Sequence, residues 1–399
     1  MNWHQATLQD LVFFQRGFDI TKAEQKTGTY PVISSAGTAS YHNEFMVSGP
    51  GVIIGRKGSL GTVHFSEGDY WPHDTTLWSK DFRGNDPRFV YYFMHTLGLS
   101  NFDVGGANPT LNRNHIHKLV VSIPPLPVQR SIASILSTYD DLIAANQRRI
   151  QLLEESARLL YREWFVKLRF PGHKTPPVRP EPVEGCFLGA HVLRQAQHER
   201  CEVPEDWSKL PLSELADVIM GQSPESKHFN EDGDGLPFHQ GVSDFGDRFV
   251  THLIFSTHAT RIAQPGDILC SVRAPVGRLN MTLDEIVIGR GLSAIRSRTG
   301  TQSLLFYQLK NLFFKEDLIG GGAIFASVGK KELFAQELLQ PSEEVARAFE
   351  NFASGVDQQI EALTLQIGRL QEARDMLLPK LMSGALDVSR IAVPEEVEA

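Results

Sequence analysis

The sequence has few of the features that mark secreted, membrane-spanning or metal-stabilised proteins. Its 399 residues include three cysteines, Cys186, Cys201 and Cys270, and none belongs to a CxxC pair. This scarcity indicates a reduced, cytoplasmic setting without a zinc site. No apolar run approaches the roughly 20 residues that span a bilayer, and the first residues lack the pattern of a signal peptide. We therefore expect no membrane partner.

Motifs of the enzymes that act on DNA are also absent. The sequence has no Asn/Asp-Pro-Pro-aromatic motif of an N6-adenine methyltransferase, and the nearest string is at 108–110. It has no GxxxxGK[ST] loop, and Gly320–Gly322 is either a weak phosphate cradle or a flexible loop. His115 and His117 lack further ligands at metal spacing, so a strand edge or a phosphate contact fits them better than a metal. We expect no catalytic, cofactor or metal residue in this chain.

An excess of positive charge is missing as well. The 39 lysines and arginines face 47 aspartates and glutamates, so the formal net charge is −8, which argues mildly against a nucleic-acid-binding protein. The acidity is concentrated near the end of the chain. Residues 342–399 hold 5 basic and 11 acidic residues, whereas residues 1–125 hold 10 of each. Local basic loops therefore remain compatible with this composition.

A long heptad pattern occupies the middle of the chain. Apolar residues recur every seven positions over about four heptads between Pro125 and Pro171, which predicts a coiled-coil helix over 126–170. At roughly 1.5 Å per residue the helix would be about 60 Å long, which suits a spacer better than a globular domain. Its predicted seam consists of Leu136, Ile143, Ile150, Leu153 and Leu160.

Several features of this pattern leave two interpretations open. Asn146 on the seam either fixes the register of the coiled coil or faces another surface. The aromatic end of the helix is either a docking surface or core; it consists of Tyr161, Trp164 and Phe165. Arg374, in the corresponding later stretch, either reaches solvent or pairs with an acid of the first helix such as Glu154 or Glu155.

The first half of the chain recurs in the second half. Ser48–Gly61 resembles Ala263–Gly277, and the pattern of Phe89–Leu97 returns in Leu305–Leu312, at offsets of 215 to 217 residues. The glycine-rich loops at 104–107 and 320–323 also correspond. The heptad pattern is repeated too, which supplies a second coiled-coil helix as a partner within the same chain. Its predicted seam consists of Val356, Ile360, Leu363, Ile367 and Leu370.

The repeat predicts an α+β protein with two similar heads, each followed by a long helix. Each head should combine a curved sheet, with strand cores at 52–54 and 267–270, and a helix near 87–99 or 302–315. The linker, with an insertion over 175–202, resembles the translation of a repetitive intergenic element of some bacterial genomes, and an ordinary surface loop fits it equally well. The predicted segments are head one 1–125, helix 126–170, linker 171–204, head two 205–341, helix 342–384 and tail 385–399.

Three spans of the sequence, 124–173, 202–215 and 377–388, are similar to specificity (S) subunits of type I restriction-modification enzymes. They read PPLPVQRSIASILSTYDDLIAANQRRIQLLEESARLLYREWFVKLRFPGH, EVPEDWSKLPLSEL and LLPKLMSGALDV. The resemblance covers nearly the whole chain except the linker insertion. It is carried most strongly by the two helices.

This resemblance implies a DNA-recognition chain without chemistry of its own. Each head would be a target recognition domain that reads one half of a split site in double-stranded DNA. The helices would pack antiparallel, hold the heads apart and dock two methyltransferase (M) subunits, which restriction (R) subunits would join. S-adenosylmethionine, ATP and Mg²⁺ would act in those partner subunits.

The residues that contact DNA are predicted from charge and from position in the repeat. Arginine and asparagine suit bidentate hydrogen bonds with base edges, whereas lysine mostly binds phosphate. Lys57 corresponds to Arg273, each just after a strand, and Asn114 and His115 correspond to Lys330 and Lys331. The predicted set is Arg56, Lys57, Asn112, Arg113, Asn114, His115 and Lys118 in head one, and Arg273, Arg278, Arg290, Lys330 and Lys331 in head two. For each residue alone, a solvated surface charge is the competing interpretation.

Two other functions compete with DNA specificity. In an interaction scaffold, the heads would bind protein or peptide, and the acidic balance favours this class slightly. A stand-alone nuclease or methyltransferase is disfavoured by the missing motifs. The bases of the recognised site and the length of its spacer do not follow from the sequence.

Overall fold

The computed structural model describes residues 3–102, 110–173, 203–317 and 328–388, with the side chains of 314–317 excepted. Both glycine-rich loops, the 175–202 insertion and residues 389–399 of the tail lie outside this range. Contacts divide the chain into two compact units, Met1–Arg148 with Leu363–Ala399 and Arg149–Ala362. Each unit therefore contains one head together with parts of both long helices.

The first head combines short strands with three short helices. Its elements are β1 (His4–Thr7), α1 (Leu8–Leu11), β2 (Phe13–Arg16), β3 (Tyr30–Ser34), β4 (Gly37–His42), β5 (Gly51–Gly55), β6 (Val63–Ser66), β7 (Trp71–Pro72), β8 (Thr76–Asp81), α2 (Pro87–His95), α3 (Arg113–Ile116) and β9 (Val120–Ile123). An antiparallel sheet has the order β2-β8-β5-β6, a second sheet has the order β4-β3-β7, and β1 pairs with β9. β5 is buried from end to end, which explains its continuous apolar run.

The first long helix follows β9 directly. It is α4 (Leu126–Tyr161), and a wide helical turn over Arg162–Val166 extends it. Pro127 lies in its first turn, where a missing backbone N–H costs least.

The second head repeats this arrangement with more strands. Its elements are β10 (Ser208–Pro211), α5 (Leu212–Leu215), β11 (Ala216–Met220), β12 (Phe229–Asn230), β13 (Leu236–His239), β14 (Phe255–Ser256), β15 (Ile262–Ala263), β16 (Ile268–Ser271), β17 (Leu279–Met281), β18 (Ile286–Ile288), β19 (Leu292–Ser297), α6 (Gln302–Asp317), α7 (Lys330–Phe334) and β20 (Glu337–Gln340). The four-stranded sheet β11-β19-β16-β17 matches β2-β8-β5-β6, and β16 is fully buried like β5. A five-stranded sheet has the order β12-β14-β13-β18-β15, and β10 pairs with β20.

The second long helix, α8 (Glu343–Met382), runs antiparallel to α4. In the first unit, the beginning of α4 shares a hydrophobic core with the end of α8, where Leu136 and Leu381 are both buried. In the second unit, the end of α4 shares a core with the beginning of α8, where Ala157 and Phe349 are fully buried. The predicted fold class, two α+β heads with an intramolecular antiparallel pair of long helices, is therefore confirmed.

The ten predicted seam residues are all buried or half-buried. Leu136, Ile143, Val356 and Ile360 are the most buried of them. Asn146 is buried as well, and its Nδ2 has no hydrogen-bond partner among the described residues.

The aromatic end of α4 forms core rather than an exposed surface. The rings of Tyr161 and Phe165 are buried and lie 6.0 and 5.2 Å from the ring of Phe349 in α8. Trp164 is half-buried and lies 6.1 Å from the same ring. Of the two interpretations of these aromatics, the core is the one that the structure shows.

Of the two interpretations of Arg374, pairing with an acid of the first helix is confirmed, but the acid is Asp140 rather than Glu154 or Glu155. Its Nη1 lies 2.6 Å from a carboxylate oxygen of Asp140 in α4, and its Nη2 lies 2.8 Å from Asp375. The reason is the antiparallel order, which brings the late part of α8 against the early part of α4. Within the ranges that the structure describes, no helix is both long and apolar enough to cross a membrane.

An aspartate placed in the seam should destabilise the protein, because it buries a charge without a partner. We expect Ile143→Asp and Ile360→Asp each to lower the free energy of unfolding of the full chain by about 3–5 kcal/mol in urea. Leu142 and Leu365 are 45% and 47% exposed on the same two helices. The control variants Leu142→Asp and Leu365→Asp should change it by less than about 1 kcal/mol. Equal losses in seam and control variants would contradict the assigned seam.

Candidate nucleic-acid interface

The two heads share backbone hydrogen bonds just after their buried central strands. In the first head, the N–H of Leu111 donates to the carbonyl of Arg56 at 2.9 Å. In the second head, the N–H of Val328 donates to the carbonyl of Val272, also at 2.9 Å. Each bond joins the segment after the central strand, β5 or β16, to the start of the short helix α3 or α7. The two predicted basic segments of each head are thereby brought side by side.

In the first head, this junction borders a cavity of about 330 Å³. Three arginines line it: Arg16 at the end of β2, Arg56 after β5 and Arg113 at the start of α3. The remaining lining residues are Gln15, Leu77, Thr110 and Asn112. We call this site the arginine cavity. Converging guanidinium groups suit an anionic ligand or the acceptor atoms of a guanine edge, because each can donate two parallel hydrogen bonds.

The charge of this cavity is only partly neutralised. Arg16 pairs with Asp74 at 2.9 Å, whereas Nη1 of the half-buried Arg56 has no hydrogen-bond partner among the described residues. Burial lowers the pKa of Arg56, and the nearby positive charge of Arg16 lowers it further. An arginine remains protonated in proteins. Its desolvated charge would therefore be stabilised by a phosphate or a base acceptor that enters the cavity.

Two side chains fix α3 beside the cavity. The side chain of Asn112 caps the helix by accepting the N–H of Asn114 at 2.9 Å. His117 is buried, and its Nε2 accepts the N–H of Phe14 in β2 at 3.0 Å. Burial lowers the pKa of His117, which favours the neutral ring that can accept this bond. The predicted strand edge is wrong, since His115 lies in α3 and His117 directly follows it.

The other predicted DNA contacts lie on the surface. The exposed ones are Lys57, Asn114, His115 and Lys118 in head one, and Arg273, Arg278, Arg290, Lys330 and Lys331 in head two. None of the predicted lysines and arginines forms an ion pair with an acid in the described ranges. By contrast, the neighbouring Arg296 and Arg298 pair with Asp267 and Asp217 at 2.7 Å. Unpaired surface cations are available for phosphate contacts.

The structure corrects the predicted correspondence between the two short helices. The shared hydrogen bond matches Arg113 with Lys330 and Asn114 with Lys331, the first two residues of α3 and α7. The predicted match of Asn114 with Lys330 and of His115 with Lys331 is therefore off by one residue. The offset of the repeat is 217 here, whereas it is 216 at the central strands.

Matched positions of the two heads carry different side chains. The residue after each central strand donates its N–H to the carbonyl of Thr75 or of Gly291, at 2.8 and 2.9 Å. The residue before that acceptor is Asp74 in the first head and Arg290 in the second. These shared backbone hydrogen bonds form one backbone frame, which holds an acid at this position in the first head and a base in the second.

Sequence reasoning missed Arg16, although it lines the cavity. Arg16 ends β2 opposite Leu77, and its counterpart Met220 ends β11 opposite Ser293. Because the counterpart is apolar, the repeat gives no signal at this position. The sheet register alone places Arg16 beside Arg56.

Comparisons with known proteins identify the family. Residues 1–155 match the sequence profile described as "Type I restriction modification DNA specificity domain". A protein of Methanocaldococcus jannaschii, named as specificity subunit of the type I restriction enzyme MjaX, is 30% identical over 312 residues, which cover 76% of this chain and 69% of the relative. The chain belongs to the type I restriction enzyme specificity subunits.

One further relative and one solved structure are also similar to this chain. The HindI specificity subunit of Haemophilus influenzae is 23% identical to this specificity subunit over 337 residues, 70% of this chain and 72% of the relative. The crystal structure of the S subunit of a type I restriction-modification system from M. genitalium superposes with a TM-score of 0.63 at 16% identity, over 95% of this chain and 96% of that one. At this identity the second match concerns the fold alone.

Removal of the Arg56 guanidinium should weaken DNA binding by this specificity subunit. We expect Arg56→Ala to lower the affinity of the full chain for double-stranded DNA by about 1–3 kcal/mol and to reduce the salt slope by about one. Lys80→Ala removes the same charge from the exposed end of β8 and should change neither quantity. Fluorescence anisotropy over a range of salt concentrations measures both. Identical behaviour of the two variants would exclude the arginine cavity from the interface.

Proposed function

We propose that this chain is the non-catalytic specificity subunit of a type I restriction-modification complex, in which each head reads one half of a bipartite site in double-stranded DNA. The observation that carries the proposal is the shared backbone frame of the two heads, which holds unpaired basic residues beside one another. Its differing side chains, such as Asp74 against Arg290, would let the two heads read different bases. Membership of the family supports the same function.

The long helices suit a fixed spacing of two readers. α4 has 36 residues and α8 has 40, so they measure about 54 and 60 Å at roughly 1.5 Å per residue. Readers on one face of DNA should be separated by about one helical turn, roughly 35 Å, or by a multiple of it. Rigid spacing makes the second DNA contact effectively intramolecular, which raises the affinity for a split site.

The chemistry of the complex would belong to other subunits. We infer that two methyltransferase subunits dock on the long helices, and that restriction subunits join this assembly in the cytoplasm. S-adenosylmethionine, ATP and Mg²⁺ would bind to those subunits. The role of this chain would then be to select the DNA and to position the subunits that modify or cut it.

Replacement of one head should change one half of the recognised site. We expect a chain with residues 1–125 exchanged for the head of another specificity subunit to methylate a site with one new half and one unchanged half. The matched exchange of residues 205–341 should change only the other half. Sequencing of methylated bases in cells that carry each variant measures both. A change in both halves, or in neither, would contradict modular reading.

A further inference from the structure

Arg248 of the second head is a buried arginine that fastens the head to the long helices. It is 3% exposed, and its Nη2 forms an ion pair with Asp357 of α8, while its Nη1 lies 3.8 Å from Glu154 of α4. Its guanidinium carbon lies 3.6 Å from the centre of the Phe306 ring in α6. Carboxylates and an aromatic face together offset the cost of desolvating a guanidinium.

A tight turn, residues 245–250, carries this arginine along the edge of β17. The N–H of Met281 donates to the carbonyl of Arg248 at 2.9 Å, and the N–H of Val250 donates to the carbonyl of Met281 at 3.1 Å. In the second head, a segment of the head itself therefore extends the edge of the sheet and places Arg248 against the long helices.

The first head contains a recess of about 410 Å³ at the matching place. Among its lining residues are Phe65 of β6, the adjacent Tyr91 and Tyr92 of α2, and Asp140 and Asp141 of α4. We call this site the Asp141 recess. The repeat aligns Tyr91 and Tyr92 with Phe306 and Tyr307 of α6, the two rings that pack on Arg248. It likewise aligns Asp140 with Asp357, the acid that pairs with Arg248.

Two differences leave the Asp141 recess open to a partner. Asp140 already accepts a hydrogen bond from the hydroxyl of Tyr92 at 2.6 Å and pairs with Arg374, whereas Asp141 forms no ion pair within the described residues. In addition, β6 pairs with β5 alone in the described part of the first head, although the matching β17 is extended by the 245–250 loop. Arg88, which also borders the recess, is engaged by Glu67.

We propose that the Asp141 recess binds an extended, arginine-bearing segment of the methyltransferase subunit. The segment adds to the edge of β6, and its guanidinium enters between the aspartates of α4 and the face of Tyr91. Edge-strand addition supplies backbone hydrogen bonds, and the recess supplies selectivity for the arginine. This inference rests on the proposed function, which makes that subunit the partner.

The test measures binding of the full chain to the methyltransferase subunit encoded with it, by titration calorimetry. Asp141→Asn should lower the affinity about tenfold, the loss of roughly 1.4 kcal/mol. Thr38→Arg places a guanidinium at the rim of the recess from β4 and should weaken binding at least as much. Glu44→Gln is the matched control, because it removes one negative charge from an exposed position of head one that lies outside the recess and outside the long helices, and it should bind like the wild type.

A double-mutant cycle identifies the arginine. Among arginine-to-alanine variants of the methyltransferase subunit, one should lose about tenfold in affinity for the wild-type chain and little for Asp141→Asn. If the wild-type chain fails to bind the methyltransferase subunit, the proposed function and the role of the recess are both overturned. If the wild type binds, and Asp141→Asn and Thr38→Arg bind as tightly as Glu44→Gln, the proposed function stands and the recess is excluded.

Discussion

The structure depends on one interaction: the apolar stripe of the long helix α4 is buried against the apolar stripe of α8, its repeat within the same chain. α4 and α8 each carry a heptad seam, and a helix of this length cannot leave such a seam in water. Because the copy lies in the same chain and runs antiparallel, each compact unit pairs an early part of one helix with a late part of the other. Each head is then anchored by matched acids, Asp140 in the first unit and Asp357 in the second.

The heads show how one backbone frame can serve two specificities. Their shared hydrogen bonds fix the segment after the central strand against a short helix, and this arrangement does not depend on the side chains involved. The side chains are therefore able to differ, as Arg16 and Met220 do at the ends of β2 and β11. Stability resides in the buried strands and the helix pair, while recognition resides in loops that this frame holds in place.

Elements with a strong period or a continuous apolar run could be predicted from the sequence. The heptad pattern predicted α4 and α8, and the continuous apolar runs predicted β5 and β16, because burial alone requires apolar residues at those positions. Features that depend on tertiary pairing could not be predicted. Arg16 joins the arginine cavity through the register of β2 with β8, and Arg374 finds Asp140 only because the helices run antiparallel. The buried Arg248 lies outside the stretches that the repeat aligns, so the repeat gave no signal for it.

A map of methylated bases in the native genome, with and without this gene, tests most directly whether one chain reads two half-sites. We expect a single bipartite motif, with two defined halves separated by a spacer of fixed length, and we expect methylation of both halves to disappear when the gene is deleted. A contiguous motif, a spacer of variable length, or methylation that persists without the gene would contradict a specificity subunit with two heads held at a fixed distance.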